Sequence, residues 1–173
     1  MAPPDSERAF AEFVAARSDA LLRSAWLLTG DAGRAEDLLQ TALAKAWRRW
    51  AAVERADSPE AYVRRTIFTT YVSWWRRRWR AETPSGDLPE RASHADHAGT
   101  VAARDAVTRA LGRLSRRARA VVVLRYVEDR PVAEVAALLG STPGAVKVLA
   151  SRALATLRAD PDLQSLVLEG APA

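Results

Sequence analysis

The sequence contains no cysteine, no long apolar run and only two histidines among its 173 residues. Without cysteine there is no disulfide, no thiolate nucleophile and no cysteine-ligated zinc site. No stretch approaches the roughly 20 apolar residues that a membrane-spanning helix needs. The first residues, MAPPDSERAF, lack the charged and apolar parts of a signal peptide. These absences predict a protein of the cytoplasm that does not insert into a membrane.

Enzymatic chemistry has little support in the sequence. There is no glycine-rich phosphate loop and no Ser/His/Asp set. His94 and His97 lie three residues apart without further ligands nearby, whereas a structural zinc site takes four. We therefore expect neither catalysis, nor a bound metal, nor another cofactor.

Positive charge is concentrated in three stretches of the chain. The formal net charge is +5, yet residues 59–80 hold six arginines and one glutamate. Residues 113–130 hold six arginines and two acids, and residues 141–158 hold three basic residues and no acid. Localised basic stretches favour a polyanionic partner, most often nucleic acid. Charge alone leaves a second interpretation open, in which the arginines only cover a solvated surface.

Helical periodicity runs through most of the chain, and no useful length shows the alternation of a β-strand. Gly30 is placed to end one helix, Asp31 to cap the next, and Ser58 with Pro59 to begin a third. The pattern predicts helices at about 6–29, 32–48, 58–81, 101–114, 116–127, 131–139 and 143–158.

A change of composition divides the chain in two. The stretch TPSGDLPERASHADHAG, residues 83–99, is rich in proline, glycine and small polar residues, as linkers are. The predicted fold class is all-α, with two small helical domains at 1–82 and 101–160 joined by a flexible linker at 83–100. The acidic tail, residues 161–173, either caps the second domain or contacts a regulator.

The stretch YVSWWRRRWR, residues 71–80, places three tryptophans among four arginines. Rings that stack on bases, beside cations that hold phosphates, are what single-stranded nucleic acid binding uses. The competing interpretation is a core stripe, because Phe68, Val72, Trp75 and Trp79 share one helical face. We expect Trp75 and Trp79 to pack, Tyr71 and Trp74 to face nucleic acid, and Trp75 to serve both roles at the core edge.

Residues 130–158 have the pattern of a helix-turn-helix. Gly140 falls in the turn, Ser141 or Thr142 is placed to cap the second helix, and Pro143 opens it. In a DNA-binding helix-turn-helix the second helix enters the major groove. A plain helical hairpin within a bundle is the alternative. The outer face of the second helix carries Lys147, Ser151, Arg152 and Arg158.

Longer motifs add a family resemblance. The stretch 110–158, ALGRLSRRARAVVVLRYVEDRPVAEVAALLGSTPGAVKVLASRALATLR, resembles region 4 of a bacterial extracytoplasmic-function sigma factor, of the actinobacterial kind. DAGRAEDLLQTALAKAW, residues 31–47, resembles region 2 of the same family, with its D-x-x-x-AEDL-x-Q pattern. YVSWWRRR resembles the stretch with which housekeeping sigma factors open promoter DNA. The resemblance covers nearly the whole chain outside the linker and tails.

The resemblance implies a subunit that directs core RNA polymerase to promoters. It implies that the first domain recognises and melts the −10 element through Tyr71, Trp74, Trp75, Arg76, Arg77, Arg78 and Arg80. It implies that the second domain contacts the −35 element through Ser141, Thr142, Lys147, Ser151 and Arg152. The residues implied to contact core polymerase are Asp31, Glu36, Asp37, Gln40 and Arg48.

The implied partners are core polymerase, through the clamp helices of its largest subunit and its flap, promoter DNA, and an anti-sigma factor. The linker would occupy a basic cleft or act as a simple tether. Thr69 or Thr70 stands where many relatives carry asparagine, and residues 50–58 match the loop that captures a flipped base only loosely. Val148 and Leu149 replace residues that are often polar in relatives, which leaves fewer side chains to read bases.

Two other functions remain open at the level of sequence. A helix-turn-helix regulator would bind duplex DNA without polymerase and without opening strands. An adaptor with no DNA role would use its arginines only for solubility, so that its DNA affinity would not respond to salt.

Overall fold

In the computed structural model, residues 4–81 and 100–169 are described, and they fall into two compact units divided after residue 84. The described residues are helical and include no β-strand, which confirms the predicted all-α class. The N-terminal unit contains α1 (Pro4–Thr29), α2 (Ala32–Trp47), α3 (Trp50–Val53) and α4 (Pro59–Ala81). The C-terminal unit contains α5 (Thr100–Gly112), α6 (Arg116–Val122), a π-helical turn (Val123–Val127), α7 (Val132–Leu138), α8 (Pro143–Arg158) and α9 (Pro161–Glu169).

Capping residues set the helix boundaries of the N-terminal unit. Gly30 adopts a left-handed φ of 68° and its N–H donates to the carbonyl of Trp26, which ends α1. Asp31 Oδ1 accepts the N–H of Arg34 at 2.8 Å, which starts α2. Ser58 Oγ accepts the N–H of Ala61 at 3.2 Å, and Pro59 opens α4. The helix-starting and helix-ending signals predicted from the sequence are confirmed.

The core of the N-terminal unit lies where α1, α2 and α4 pack together. Leu21, Leu38, Ile67 and Phe68 are almost fully buried in it. Ile67 and Phe68 are consecutive, so they lie on adjacent faces of α4. Helix α4 is therefore enclosed on two sides, by α1 and by α2, and not on one stripe alone.

The segment after α2 differs from the expected loop. Its first residues form α3, in which Trp50 and Val53 are buried. The ring of Trp50 lies 4.9 Å from that of Phe10 and 5.1 Å from that of Phe13, and Phe10 also contacts Trp47 at 5.0 Å. The packing of the Trp50 ring against α1 therefore stabilises a helix in a segment whose sequence lacks helical periodicity. The non-helical part of the predicted loop shrinks to residues 54–58.

Helix α9 shows that the first part of the acidic tail packs on its own unit. It lies against α5 and, less extensively, α8. Arg113 pairs with Asp160 and Asp162, and Arg109 also pairs with Asp162. Asp160 Oδ1 accepts the N–H groups of Asp162 at 3.0 Å and Leu163 at 3.4 Å, so this buried carboxylate also caps α9. Capping of the last domain is the alternative that this packing favours.

We expect Asp160→Ala to lower the free energy of unfolding of the C-terminal unit by about 1–2 kcal/mol, because the N-cap is lost. Asp160→Asn keeps a capping oxygen and should cost less. All six tryptophans lie between residues 26 and 79, so tryptophan fluorescence reports the N-terminal unit alone. The urea transition followed by circular dichroism should shift while the fluorescence transition stays in place. Equal shifts in both signals would contradict this role.

The same carboxylate predicts a pH dependence. The hydrogen bond from Arg113 holds the pKa of Asp160 below its ordinary value of 3.8, although burial acts in the opposite direction. Because the folded-state pKa is lowered, the ionised carboxylate of Asp160 stabilises the fold above pH 3.8. This contribution is lost as the pH falls through the folded-state pKa. Asp160→Asn should remove that part of the acid sensitivity of the C-terminal unit.

Among the described residues, no single helix is both long and apolar enough to cross a bilayer. Only α7 and α8 taken together reach that composition, and they are bent by 100° relative to each other.

Candidate nucleic-acid interface

The position of Tyr71 corrects the expectation for the aromatic stretch. The sequence predicts that its ring faces nucleic acid, but Tyr71 is only 9% exposed. Tyr71 lies one helical turn after Ile67, and the face that these two residues share packs inside the unit. The periodicity identified one buried stripe of α4 and missed the second. Tyr71 therefore belongs to the wall of the core at this end of α4.

Trp74 and Trp75 lie where α4 emerges from the core, and both are half-buried. The next two residues, Arg76 and Arg77, are exposed, and within residues 4–81 no carboxylate forms an ion pair with them. Two adjacent indole rings thus border a patch of uncompensated positive charge. The prediction that Trp75 sits at the core edge agrees with its partial burial. The side chains of Arg78, Trp79 and Arg80 lie outside the described residues.

The two threonines in the middle of α4 have different environments. Thr70 is buried and accepts a hydrogen bond from Lys45 Nζ at 2.8 Å. Thr69 is exposed, and its hydroxyl donates to the carbonyl of Thr66 at 3.1 Å. Thr70 therefore joins α4 to α2, and Thr69 is the threonine that a ligand can reach.

Helix α2 presents an acidic surface. Glu36, Asp37 and Gln40 are exposed on the face opposite the buried Leu38 and Ala42. Asp31 is half-buried and engaged as the N-cap, so its carboxylate already has a structural role. Arg48 is exposed just after the last residue of α2. The structure brings Glu36, Asp37 and Gln40 onto one surface and leaves Asp31 at its margin.

Helices α7 and α8 have the geometry of a helix-turn-helix, with 100° between them. Gly140 adopts a left-handed φ of 58°, and its N–H donates to the carbonyl of Ala137. The N–H of Ser141 donates to the carbonyl of Ala136 at 2.8 Å, which completes a Schellman motif. Because an added side chain is strained at this φ, glycine fits the turn.

The cap of α8 is Thr142 and not Ser141. Thr142 Oγ1 accepts the N–H of Ala145 at 3.2 Å. Ser141 belongs to the turn, where its N–H donates to the carbonyl of Ala136. Behind the cap, Val146, Ala150 and Ala153 are buried. Lys147, Ser151 and Arg152 are exposed on the outer face, as predicted from the sequence.

Ion pairing separates the free cations from the structural ones. Most of the arginines in residues 113–130 already have partners. Arg113 and Arg130 pair with acids, and Arg119 and Arg125 donate to carbonyl oxygens. Arg116 is also engaged in an interaction. Within the described ranges, Arg117, Lys147 and Arg152 form no ion pair. These three cations are available to an anionic ligand.

Sequence reasoning missed Arg117. It lies on α6, yet it lines an open groove of about 440 Å³ together with Ser141, Val148 and Arg152 from the turn and α8. The basic character of residues 113–130 was the only signal, and it did not distinguish Arg117 from its neighbours. The fold brings Arg117 beside the helix-turn-helix.

The described residues contain no group of three or more acidic, histidine or cysteine side chains placed to hold a metal ion. His94 and His97, with the rest of the predicted linker at 83–99, lie outside the described residues.

Comparison with known proteins gives matches for both units. The family described as sigma-70 region 2 matches residues 13–81, and sigma-70 region 4 matches residues 104–157. The RNA polymerase sigma-E factor of Streptomyces coelicolor is 42% identical over 163 residues, with 92% of each chain covered. The factor SigL of Mycobacterium tuberculosis, an ECF RNA polymerase sigma factor, is 30% identical over 143 residues, with 80% of each covered.

A solved structure shares the fold. The sigma factor RpoE of Bartonella quintana, in complex with the anti-sigma factor NepR, superposes with a TM-score of 0.58 at 24% identity. The superposition covers 87% of this chain and 95% of that one.

Proposed function

The chain belongs to the sigma-70 family of RNA polymerase sigma factors, in its extracytoplasmic-function group, and we propose that its two units divide promoter recognition between them. As a sigma factor it directs core RNA polymerase to promoter DNA. In our proposal, residues 1–82 bind polymerase and melt the −10 element, and residues 101–160 bind the −35 element. Residues 83–100 connect them.

One observation carries the proposal: the half-buried pair Trp74 and Trp75 borders Arg76 and Arg77, with which no carboxylate of residues 4–81 forms an ion pair. A duplex-binding regulator has no use for such rings, because the bases of a closed duplex are already stacked. A base that leaves the duplex loses its neighbours, at a cost of a few kcal/mol. Stacking on an aromatic side chain returns roughly 1–3 kcal/mol per base.

The role of each side chain at the −10 element follows from its burial. Trp74 and Trp75 are anchored by their buried parts and offer their exposed parts to an unpaired base. Arg76 and Arg77, with Arg78 and Arg80 from the same stretch, hold the phosphates on either side. Tyr71 is buried, so we assign it to supporting the two indole rings from within the core and not to direct stacking.

The C-terminal unit is proposed to bind closed duplex at the −35 element. Helix α8 enters the major groove, with Lys147 and Arg152 on its outer face and Ser151 between them along the chain. Arg117 reaches the same ligand from α6. Phosphate contacts of this kind set position and register without reading sequence. The N-terminal amides of α8, which Thr142 caps, add a favourable site for a phosphate at the start of the helix.

Helix α2 is proposed to contact the clamp helices of the largest polymerase subunit. Glu36, Asp37 and Gln40 form an exposed acidic surface that none of the described helices covers, and Arg48 extends it. Asp31 sits at its margin and acts mainly as the cap of α2.

Reversing the charge of this surface should weaken core binding. For the double variant Glu36→Lys/Asp37→Lys we expect the dissociation constant for core polymerase to rise roughly tenfold or more, because the charge of the proposed contact surface is reversed and no longer complements its partner. Fluorescence anisotropy of the labelled chain, titrated with core polymerase, measures this. The control is Glu7→Lys/Asp19→Lys, which makes the same charge change on exposed residues of α1. An equal loss of affinity for core polymerase in both variants would contradict a specific contact through α2.

The remaining assignments complete the proposal. We place the chain in the cytoplasm, as a regulatory subunit that performs no catalysis itself. We propose that it contacts the polymerase flap through its C-terminal unit and that an anti-sigma factor holds it inactive. The Bartonella relative, solved in complex with such a factor, supports the last point.

Run-off transcription with purified core polymerase and genomic promoter fragments tests the function. We expect transcripts that start at defined positions only when this chain is added. A chain that binds a specific duplex alone and opens no strands would be a duplex regulator instead. Transcripts that do not depend on the chain would refute the proposal.

A further inference from the structure

Val148 is a large apolar side chain that is 51% exposed on the outer face of α8. The inner face of the same helix is formed by Val146, Ala150 and Ala153, which are buried. The core of the unit therefore does not need Val148. An apolar side chain kept in water on the helix that faces the ligand is available for a contact made only on binding.

The position of Val148 on that face is central. Ala145 lies three residues before it and Arg152 four residues after it, so the three form one exposed stripe. Lys147 and Ser151 are exposed on the adjacent stripe. The groove between α6 and α8 is lined by Val148 together with Arg117 and Arg152, which form no ion pair with any described residue. Apolar surface thus lies between cations that are available to phosphates.

We propose that Val148 determines sequence specificity at the −35 element by packing against the C5-methyl group of a thymine in the major groove. This inference rests on the proposed placement of α8 in that groove. Thymine is the base whose major-groove edge carries a methyl group, and apolar side chains recognise it by contact.

The other base edges fit Val148 less well. Guanine, adenine and cytosine present hydrogen-bond donors and acceptors in the major groove, and an isopropyl group cannot pair with them. Covering such a group without a partner costs free energy. Ala145 is small and exposed, so it leaves room for the DNA edge to approach Val148. Valine at this position therefore gives the helix an apolar group with which to read a base.

Single thymine-to-deoxyuridine replacements test the contact, because deoxyuridine pairs like thymine and lacks only the methyl group. The probe is the promoter fragment that gives the strongest chain-dependent run-off, with each thymine of its upstream element replaced in turn. For wild-type holoenzyme we expect one replacement to weaken binding about fourfold, the value of one buried methyl group. In Val148→Ala holoenzyme the same replacement should have no effect. The control variant is Val107→Ala, which removes a 38% exposed valine from α5 and should keep the wild-type response.

The outcomes separate this inference from the function on which it rests. If no promoter fragment yields chain-dependent transcripts, the sigma function itself fails. If transcripts form but no thymine replacement weakens wild-type binding, the methyl contact is refuted while the function stands. If Val148→Ala weakens binding but keeps the wild-type response to deoxyuridine, Val148 contacts something other than a thymine methyl group, and the inference is overturned.

Discussion

Replacing Trp74 with alanine is expected to reduce run-off transcription from a duplex promoter by about five- to a hundredfold. The variant loses a ring that stacks on an unpaired base, a contribution of roughly 1–3 kcal/mol, and each 1.4 kcal/mol is a factor of ten. Trp75→Ala should act in the same direction, and each of the two replacements also costs some stability because both residues are half-buried. The measurement is the initial rate of run-off synthesis by reconstituted holoenzyme.

Two controls identify the step that is lost. Trp74→Phe keeps an aromatic face and should retain most of the activity. A template with mismatched bases across the −10 element is already open, so it should restore transcription by the Trp74→Ala holoenzyme. If the premelted template is transcribed as poorly as the duplex, the ring does not act in strand opening and the assignment is wrong.

The second large effect concerns the cations of the C-terminal unit. For the triple variant Arg117→Gln/Lys147→Gln/Arg152→Gln we expect holoenzyme binding to a −35 duplex to become less dependent on salt. Each phosphate contact contributes about 0.9 to the slope of log affinity against log salt concentration, so the slope should decrease by about 2.7. In this variant the affinity should fall by several orders of magnitude at low salt. The loss should be smaller at high salt, where the contacts are already screened. Anisotropy titrations at four or more salt concentrations give the slope.

Ion-paired arginines of the same unit provide the matched control. Arg109→Gln and Arg130→Gln remove cations that already pair with Asp162 and Glu134. These variants should lose some stability of the fold and leave the salt slope nearly unchanged. If they flatten the slope as much as the triple variant, the general charge of the unit drives binding. In that case the three unpaired cations have no special role.

The contrast between these arginines explains a limit of reading charge from sequence. Residues 113–130 contain six arginines and were interpreted as one basic stretch. Arg113 forms ion pairs with Asp160 and Asp162, which lie nearly fifty residues away along the chain. Of the six, Arg117 is the one whose side chain forms neither an ion pair nor a hydrogen bond with the described residues. A linear charge count cannot separate these cases because ion pairs form between segments that only the fold brings together.

The aromatic stretch shows a related limit. Periodicity correctly placed Phe68 and Val72 in the core and left Tyr71 for the surface. Helix α4 is enclosed by α1 and α2 together, so a second face is buried and includes Tyr71. A hydrophobic stripe indicates at least one packed face but does not state how many neighbours a helix has. The role proposed for Trp74 is compatible with this correction, because Trp74 is half-buried and lies where the enclosure ends.

The sequence by itself determined the features that depend on near neighbours along the chain. Gly30, Asp31, Ser58, Gly140 and Pro143 set the helix ends and the turn, because caps and left-handed residues act within four or five positions. The motifs of 31–47 and 110–158 were sufficient to identify the family. The tertiary structure alone decided the burial of Tyr71 and Trp50, the packing of α9 on α5, and which cations stay unpaired. Burial and ion pairing are properties of contacts between distant segments, and those contacts exist only once the helices have packed.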